Sequence, residues 1–288
     1  MLRFWVVSQV LKTYKYDVMK VNIALLILPT LFVISCTDSP KKQKKEVREQ
    51  DKFIELVSQS IDSINSCVSS NPIELEKRKD KRTYYNKQFF KLISNFADSN
   101  LIIKNWNGVV RRFDYLKKEK SSFILLDIII EYKGNKHLNC LNDKIILQSI
   151  YDVDNTLKDT DIVFNNMAKI NENSNVYIEG FFNRSMNGYI SVGNNLSEFD
   201  FTILNISTSP TNDSMSINLK EAINRKFDEM KILGRGMLKG KTEKEIIKEC
   251  AYLNKDSITN TLNSSENQYI DRIERAYITN LAKEYVNR

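Results

Sequence analysis

The chain has 288 residues, 42% of them hydrophobic and 27% charged, with 8 Gly and 4 Pro. This is enough to bury a real core in one or two domains, and too little Gly and Pro for a flexible linker protein. The net charge of +7 is concentrated at the N-terminus. Four bases (Arg3, Lys12, Lys15, Lys20) and one acid (Asp17) lie in 1–35, and five bases and three acids in 37–50, which leaves about +2 on 51–288. A body this near neutral does not point to nucleic acid.

Read from Met19, the chain begins MKVNIALLILPTLFVISC. Lys20 supplies a positive start and Ile23 to Val33 an apolar run of eleven residues. That run is short of the roughly 20 residues a membrane-spanning helix needs, so 1–35 is expected to be a signal peptide, with translation starting at Met19. The run ends in Val33-Ile34-Ser35-Cys36. This resembles the lipobox of bacterial lipoproteins, with an aliphatic residue three before the cysteine and a small one just before it. Ile34 is the less usual choice. The resemblance implies cleavage before Cys36, a diacylated thiol with palmitate-type chains, and a membrane partner held through lipid. Residues 36–50 then read as the lipidated cysteine and a polar tether. In such lipoproteins an Asp after the cysteine marks inner-membrane retention. Thr37 stands there, so the resemblance favours the outer membrane.

Residues 51–100 read as helical. Phe53, Val57, Ile61, Ile64 and Val68 repeat at helical spacing. Asn71-Pro72 with Glu74 reads as a helix start, and the charge run Glu76 to Arg82 as a solvated face. From 101 to 208 the pattern is of strands: Trp106–Phe113, Ser122–Tyr132, Lys144–Ile150, Val176–Phe182, Tyr189–Val192 and Phe201–Ile206. A short helix at Asp161–Ile170, capped by Asp159 or Thr160, interrupts them. Three strands, a helix and two more strands is the order of an OB-fold, a small Greek-key barrel. Gly108 suits a sharply curved first strand, and Gly180 a bend or bulge in the fourth. The expected class is α+β: a small OB-fold-like barrel flanked by N-terminal helices and a C-terminal helical region, 209–288. There Asn218-x-x-Glu221, Thr242-x-x-Glu245 and Ser265-x-x-Gln268 are expected to open helices, the first stopping near Gly234 and Gly236.

The run from 70 to 208 resembles a recurrent, largely uncharacterised bacterial OB-fold-like domain. The resemblance is carried by Trp106-x-Gly108-x-Val110, by Asp154-Asn155-Thr156-Leu157, by Val176-x-Ile178-x-Gly180-x-Phe182, and by the final strand Phe201–Ile206. These motifs are structural. They imply a fold and no catalytic residues.

The sequence carries no catalytic constellation. One histidine, His137, stands with Cys140 in a polar loop, two potential ligands where a structural zinc needs four. No phosphate-binding glycine loop is present. The acidic run Asp152–Asp161 lacks the Gly and the terminal Glu of an EF-hand loop. No cofactor or metal is expected. After lipidation three cysteines remain, Cys67, Cys140 and Cys250, and no structural disulfide is expected. The candidate ligand face is Arg111, Arg112, Lys117, Lys118 and Arg184, with Phe113, Tyr115 and Tyr132 as stacking groups. The expected role is a lipid-anchored binding or interaction module of the cell envelope, with a protein or glycan partner. The alternatives are a structural or assembly lipoprotein, and a barrel face that binds single-stranded nucleic acid or oligosaccharide.

Overall fold

The computed structural model describes residues 48–288 apart from 70, 118–120, 132–143, 156–157, 194, 213, 251–260 and 287–288. Cys36, Lys118, Tyr132, His137 and Cys140 lie outside the described residues. The N-terminal helices are α1 (Glu49–Asn65), α2 (Pro72–Lys77) and α3 (Lys79–Ser99). Helix α1 buries Phe53, Val57 and Ile64 at the expected spacing. The Asn71 side chain accepts from the Ile73 and Glu74 N–H groups, so the expected cap forms. Glu74 does not return to it; its carboxylate pairs instead with Lys77 at 3.1 Å and Arg78 at 3.9 Å. Helix α3 restarts directly after Arg78 and buries Phe89, Ile93 and Ala97.

Five strands follow: β1 (Ile103–Lys117), β2 (Ser121–Glu131), β3 (Lys144–Asp154), β4 (Asn175–Phe182) and β5 (Glu198–Ser207). Helix α4 (Ile162–Met167) lies between β3 and β4. The strands close as a barrel in the order β1-β2-β3-β5-β4, with β3 and β5 parallel and every other pair antiparallel. This is an OB-fold-like barrel in an α+β protein. Closure depends on one long strand serving two neighbours. The first half of β1 pairs with β4 and its second half with β2. Two register shifts bend it, between Ile103 and Trp106 and between Val110 and Arg112. Asn105, at φ 53°, sits in the first. Gly108 and Gly180 act as the sequence suggests. A Cβ on Gly108 would lie 2.6 Å from the Ile128 side chain, and one on Gly180 would overlap the Thr202 carbonyl oxygen. The register of β4 against β5 shifts between Glu179 and Gly180. The expected strand Tyr189–Val192 is not a ladder strand. Its backbone makes only isolated bridges, Ile190 to Arg184 within the β4–β5 connection and Val192 to Phe199 of β5.

The barrel is packed solid from both ends. Helix α4 contributes Val163 and Met167 to the core from one end. Its cap is Asp161, whose carboxylate accepts from the Phe164 N–H and from the Tyr151 hydroxyl, rather than Asp159 or Thr160. At the other end α1 inserts Phe53 among Phe96, Trp106, Phe182 and Phe199, at ring-centroid distances of 4.9–5.3 Å. Phe53 and Trp106 are buried. A second fastener joins the same elements. The Gln50 amide donates to the Asn107 carbonyl at 2.7 Å and accepts from the Asn107 N–H at 3.0 Å.

The C-terminal helices are α5 (Ile217–Leu238), α6 (Glu243–Cys250) and α7 (Ser264–Val286). Helix α5 is capped by Ser216 rather than Asn218. It runs through Gly234 and Gly236 and ends near Gly240, at φ 65°. Gly236 is a contact point: a Cβ there would lie 2.6 Å from Ile246 of α6. The Thr242–Glu245 box forms in both directions. The last helix is capped by Asn263 and Glu266 rather than Ser265 and Gln268. These helices cover one side of the barrel. Phe227 of α5 meets Phe181 edge-on at 5.3 Å, and the Tyr269 hydroxyl of α7 donates to Glu179 of β4 at 2.5 Å. Burial beside that carboxylate pushes the Tyr269 phenol far above its ordinary range. Cys67 is buried, its thiol near the Ser63 carbonyl, and burial pushes the half-buried Cys250 thiol up.

Candidate binding groove

The outer face of the barrel holds a cavity of about 290 Å³. Alternation decides what lines it. Ile124, Leu126, Ile128 and Ile130 of β2 point inward and are buried, so Leu125 and Asp127 point outward. Register then places Gln148 beside Asp127 and Ile150 beside Leu125 on β3. On β1, Arg112 stands opposite Asp127, and on β5, Asp200 stands opposite Gln148. The result is a polar row across four strands, Arg112–Asp127–Gln148–Asp200. One step along the strands follows an apolar row, Leu125–Ile150, of which Ile150 is 54% exposed. Ser149 of β3, Asn183, just after β4, and Asn280 of α7 complete the lining.

The bulge in β1 is what places Arg112 here. Val110 pairs with Ile128 and Arg112 with Asp127, so Arg111 is the extra residue and both arginines are exposed. The Arg112 guanidinium pairs with Asp114 at 2.5 Å. Asp200 accepts from the Ser191 hydroxyl, and Asn183 accepts from Thr202 at 2.6 Å. Burial pushes the Asp127 carboxyl above its ordinary pKa, against the pull of Arg112 and Arg111, while Glu198 and Asp114 add to the rise. Arg111 and Arg112 therefore face Asp114, Asp127, Glu198 and Asp200, and the groove is net acidic.

The sequence-named residues separate in space. Arg112 lines the groove, Arg111 is the exposed bulge residue next to it, and Lys117 is exposed at the far end of β1. Arg184 is 4% exposed, pairs with Asp98 at 3.1 Å and donates to the Gly188 carbonyl at 3.0 Å, so it ties α3 to the β4–β5 connection instead of facing a ligand. Phe113 packs against the core, and the Tyr115 ring meets Phe164 of α4. Neither forms a stacking platform beside the groove. Of the lining only Arg112 is named from the sequence; Asp127, Gln148, Ser149, Asp200, Asn183 and Asn280 are the polar residues missed. The available signal was the lone charge in Phe123-Ile-Leu-Leu-Asp127-Ile-Ile-Ile130, an acid on the outer face of an apolar strand.

Among the described residues no group of three His, Cys, Asp or Glu could hold a metal ion, and no helix is long and apolar enough to cross a membrane. The fold and groove define a class: a closed OB-fold-like barrel, plugged at both ends, with a polar cleft on its outer wall. Comparison with family models, with curated proteins and with solved structures finds no match to the chain. The functional reading therefore rests on the groove and on the N-terminal sequence.

Proposed function

We propose that the chain is a lipid-anchored binding module of the bacterial cell envelope, held to the membrane through Cys36 and binding its ligand in the groove over β2 and β3. The observation that carries the binding role is the convergence of polar groups from four strands and one helix on a cleft outside a core that is itself fully packed. Small-ligand sites are built in this way, from a few placed polar groups beside an apolar surface. The acidic balance disfavours polyphosphates, which need basic grooves and stacking rings. The lipobox and the polar segment before Glu49 support the anchor.

Two measurements test the reading. Cells expressing the chain are labelled with an alkyne fatty acid and fractionated. Wild-type protein is expected in the membrane fraction with label, and Cys36→Ser without it. An unlabelled, soluble wild-type protein refutes the anchor. For the groove, Asp127→Ala and Asn280→Ala are compared with wild type for capture of cell-envelope material by the purified, immobilised chain. Loss of capture in both variants, with melting temperature preserved, supports the site. Undiminished capture refutes it.

A further inference from the structure

What the groove can bind follows from which of its polar groups are already engaged. Arg112 is held by Asp114, Asp200 by Ser191 and Asn183 by Thr202. Asp127, Gln148 and Asn280 line the same cavity and make no side-chain hydrogen bond or ion pair with another described residue. Asp127 and Gln148 are directly paired across β2 and β3, which sets their Cβ atoms about 4.5–5.5 Å apart on one face. Leu125 and Ile150 are paired in the same way two residues along, about 7 Å away. The cleft thus offers a carboxylate and an amide side by side, an apolar floor next to them, and a second amide from α7.

These groups ask for a particular ligand surface. A carboxylate only accepts, and here it can take two donors at once. An amide both donates and accepts. The one donor-only group, Arg112, is already paired. The ligand must therefore present groups that donate and accept together, beside a patch of C–H. Anions are repelled by the carboxylates. A peptide strand has no edge to extend, because at Ile146–Gln148 β3 is hydrogen-bonded to β2 on one side and β5 on the other.

We propose that the groove binds a neutral pyranose ring, with Asp127 and Gln148 taking adjacent hydroxyls, Asn280 a further one, and Leu125 and Ile150 packing on the C–H face. This rests on the reading of the barrel as a binding module and names the ligand class of that site. A cavity of about 290 Å³ holds one such ring, the end or branch unit of a longer glycan. One ring of roughly a dozen heavy atoms binds weakly, with a Kd on the order of 1 mM. Asp127 also carries a mark of a binding group. Its charge is held where burial disfavours it, so removing it leaves the free fold intact or steadier.

The test is isothermal titration calorimetry on the full-length chain in a detergent without sugar groups. The probes are glucose, galactose, mannose and N-acetylglucosamine, with a thymidine oligonucleotide and an uncharged Gly-Ser peptide as comparators. At least one sugar is expected to saturate. Asp127→Ala and Gln148→Ala should each weaken it tenfold or more, with melting temperature unchanged or raised for Asp127→Ala. If no sugar binds but the oligonucleotide or peptide does, with the same dependence on Asp127, the ligand class is overturned and the binding module stands. If no probe binds, both are overturned. If a sugar binds equally well to Asp127→Ala and Gln148→Ala, the assignment of the groove is overturned.

Discussion

The aromatic plug makes Phe53 the most informative single position. Its ring, on α1, contacts the rings of Phe96, Trp106, Phe182 and Phe199, which come from α3, β1, the end of β4 and the start of β5. The side chain is 0% exposed. Truncation to alanine opens a cavity walled by rings that are themselves locked, so little of it can collapse. Phe→Ala in such a setting costs about 3–5 kcal/mol, and the upper half of that range applies here. At roughly 2–4 °C per kcal/mol for a body of this size, the melting temperature should fall by about 8–20 °C. Urea unfolding followed by tryptophan fluorescence and by far-ultraviolet circular dichroism measures the loss. Trp106 sits against the new cavity, so its native emission should shift to the red. The only other tryptophan, Trp5, lies in the expected signal peptide. A loss below about 1.5 kcal/mol with unchanged emission would show that the ring cluster is not the joint between helices and barrel. A two-step transition, helices first, would show that the joint is weaker than the barrel itself.

Three further outcomes are expected. Gly180→Ala should prevent folding or cost more than about 3 kcal/mol, because the added methyl meets the backbone oxygen of Thr202. Gly188→Ala, where nothing lies within 4 Å but φ is +86°, should cost only about 1–2 kcal/mol; equal losses by thermal melts would refute the steric argument. The cap carboxylates Glu245 and Glu266 are held below the usual carboxylate range by hydrogen bonds from Thr242 and Ser216, so their contribution is present above a pH of about 4.5 and fades as pH falls through their lower folded values. Burial raises Glu49 and Asp127, whose contribution is greatest below the unfolded values and is lost as pH rises through the folded ones, so melting temperature should peak in mild acid. Glu266→Gln should flatten the acid side of that curve alone, and Asp127→Asn the side above the peak; a curve unmoved by either substitution refutes the assignment.

Much of the barrel is legible in the sequence because closure needs special residues at special places. Gly108 and Gly180 mark close approaches that no side chain allows, and Trp106 shares the inward face with Gly108. Helix ends are legible where a cap is local, as at Asn71 and Thr242. They are misread where glycine serves packing. Gly236 looks like a stop but is the point where Ile246 crosses α5. The groove is half legible. Arg112 stands out as an exposed base, but its neighbours Gln148 and Asn280 are 36 and 168 residues away, brought in by register and by the docking of α7. Arg184 misled because a buried base and an exposed one read alike until Asp98 is seen beside it.

The pairing of Gln50 with Asn107 has a mechanical consequence. It is a two-way amide clasp, set at the second residue of α1 and fastened to the interior of β1, with Phe53 wedged one turn further on. A pull on the chain just before Glu49 does not peel a helix from its loose end. Freeing that end requires breaking two hydrogen bonds and withdrawing a buried ring. The first turn of α1 is thus tied directly to the strand that carries Arg112.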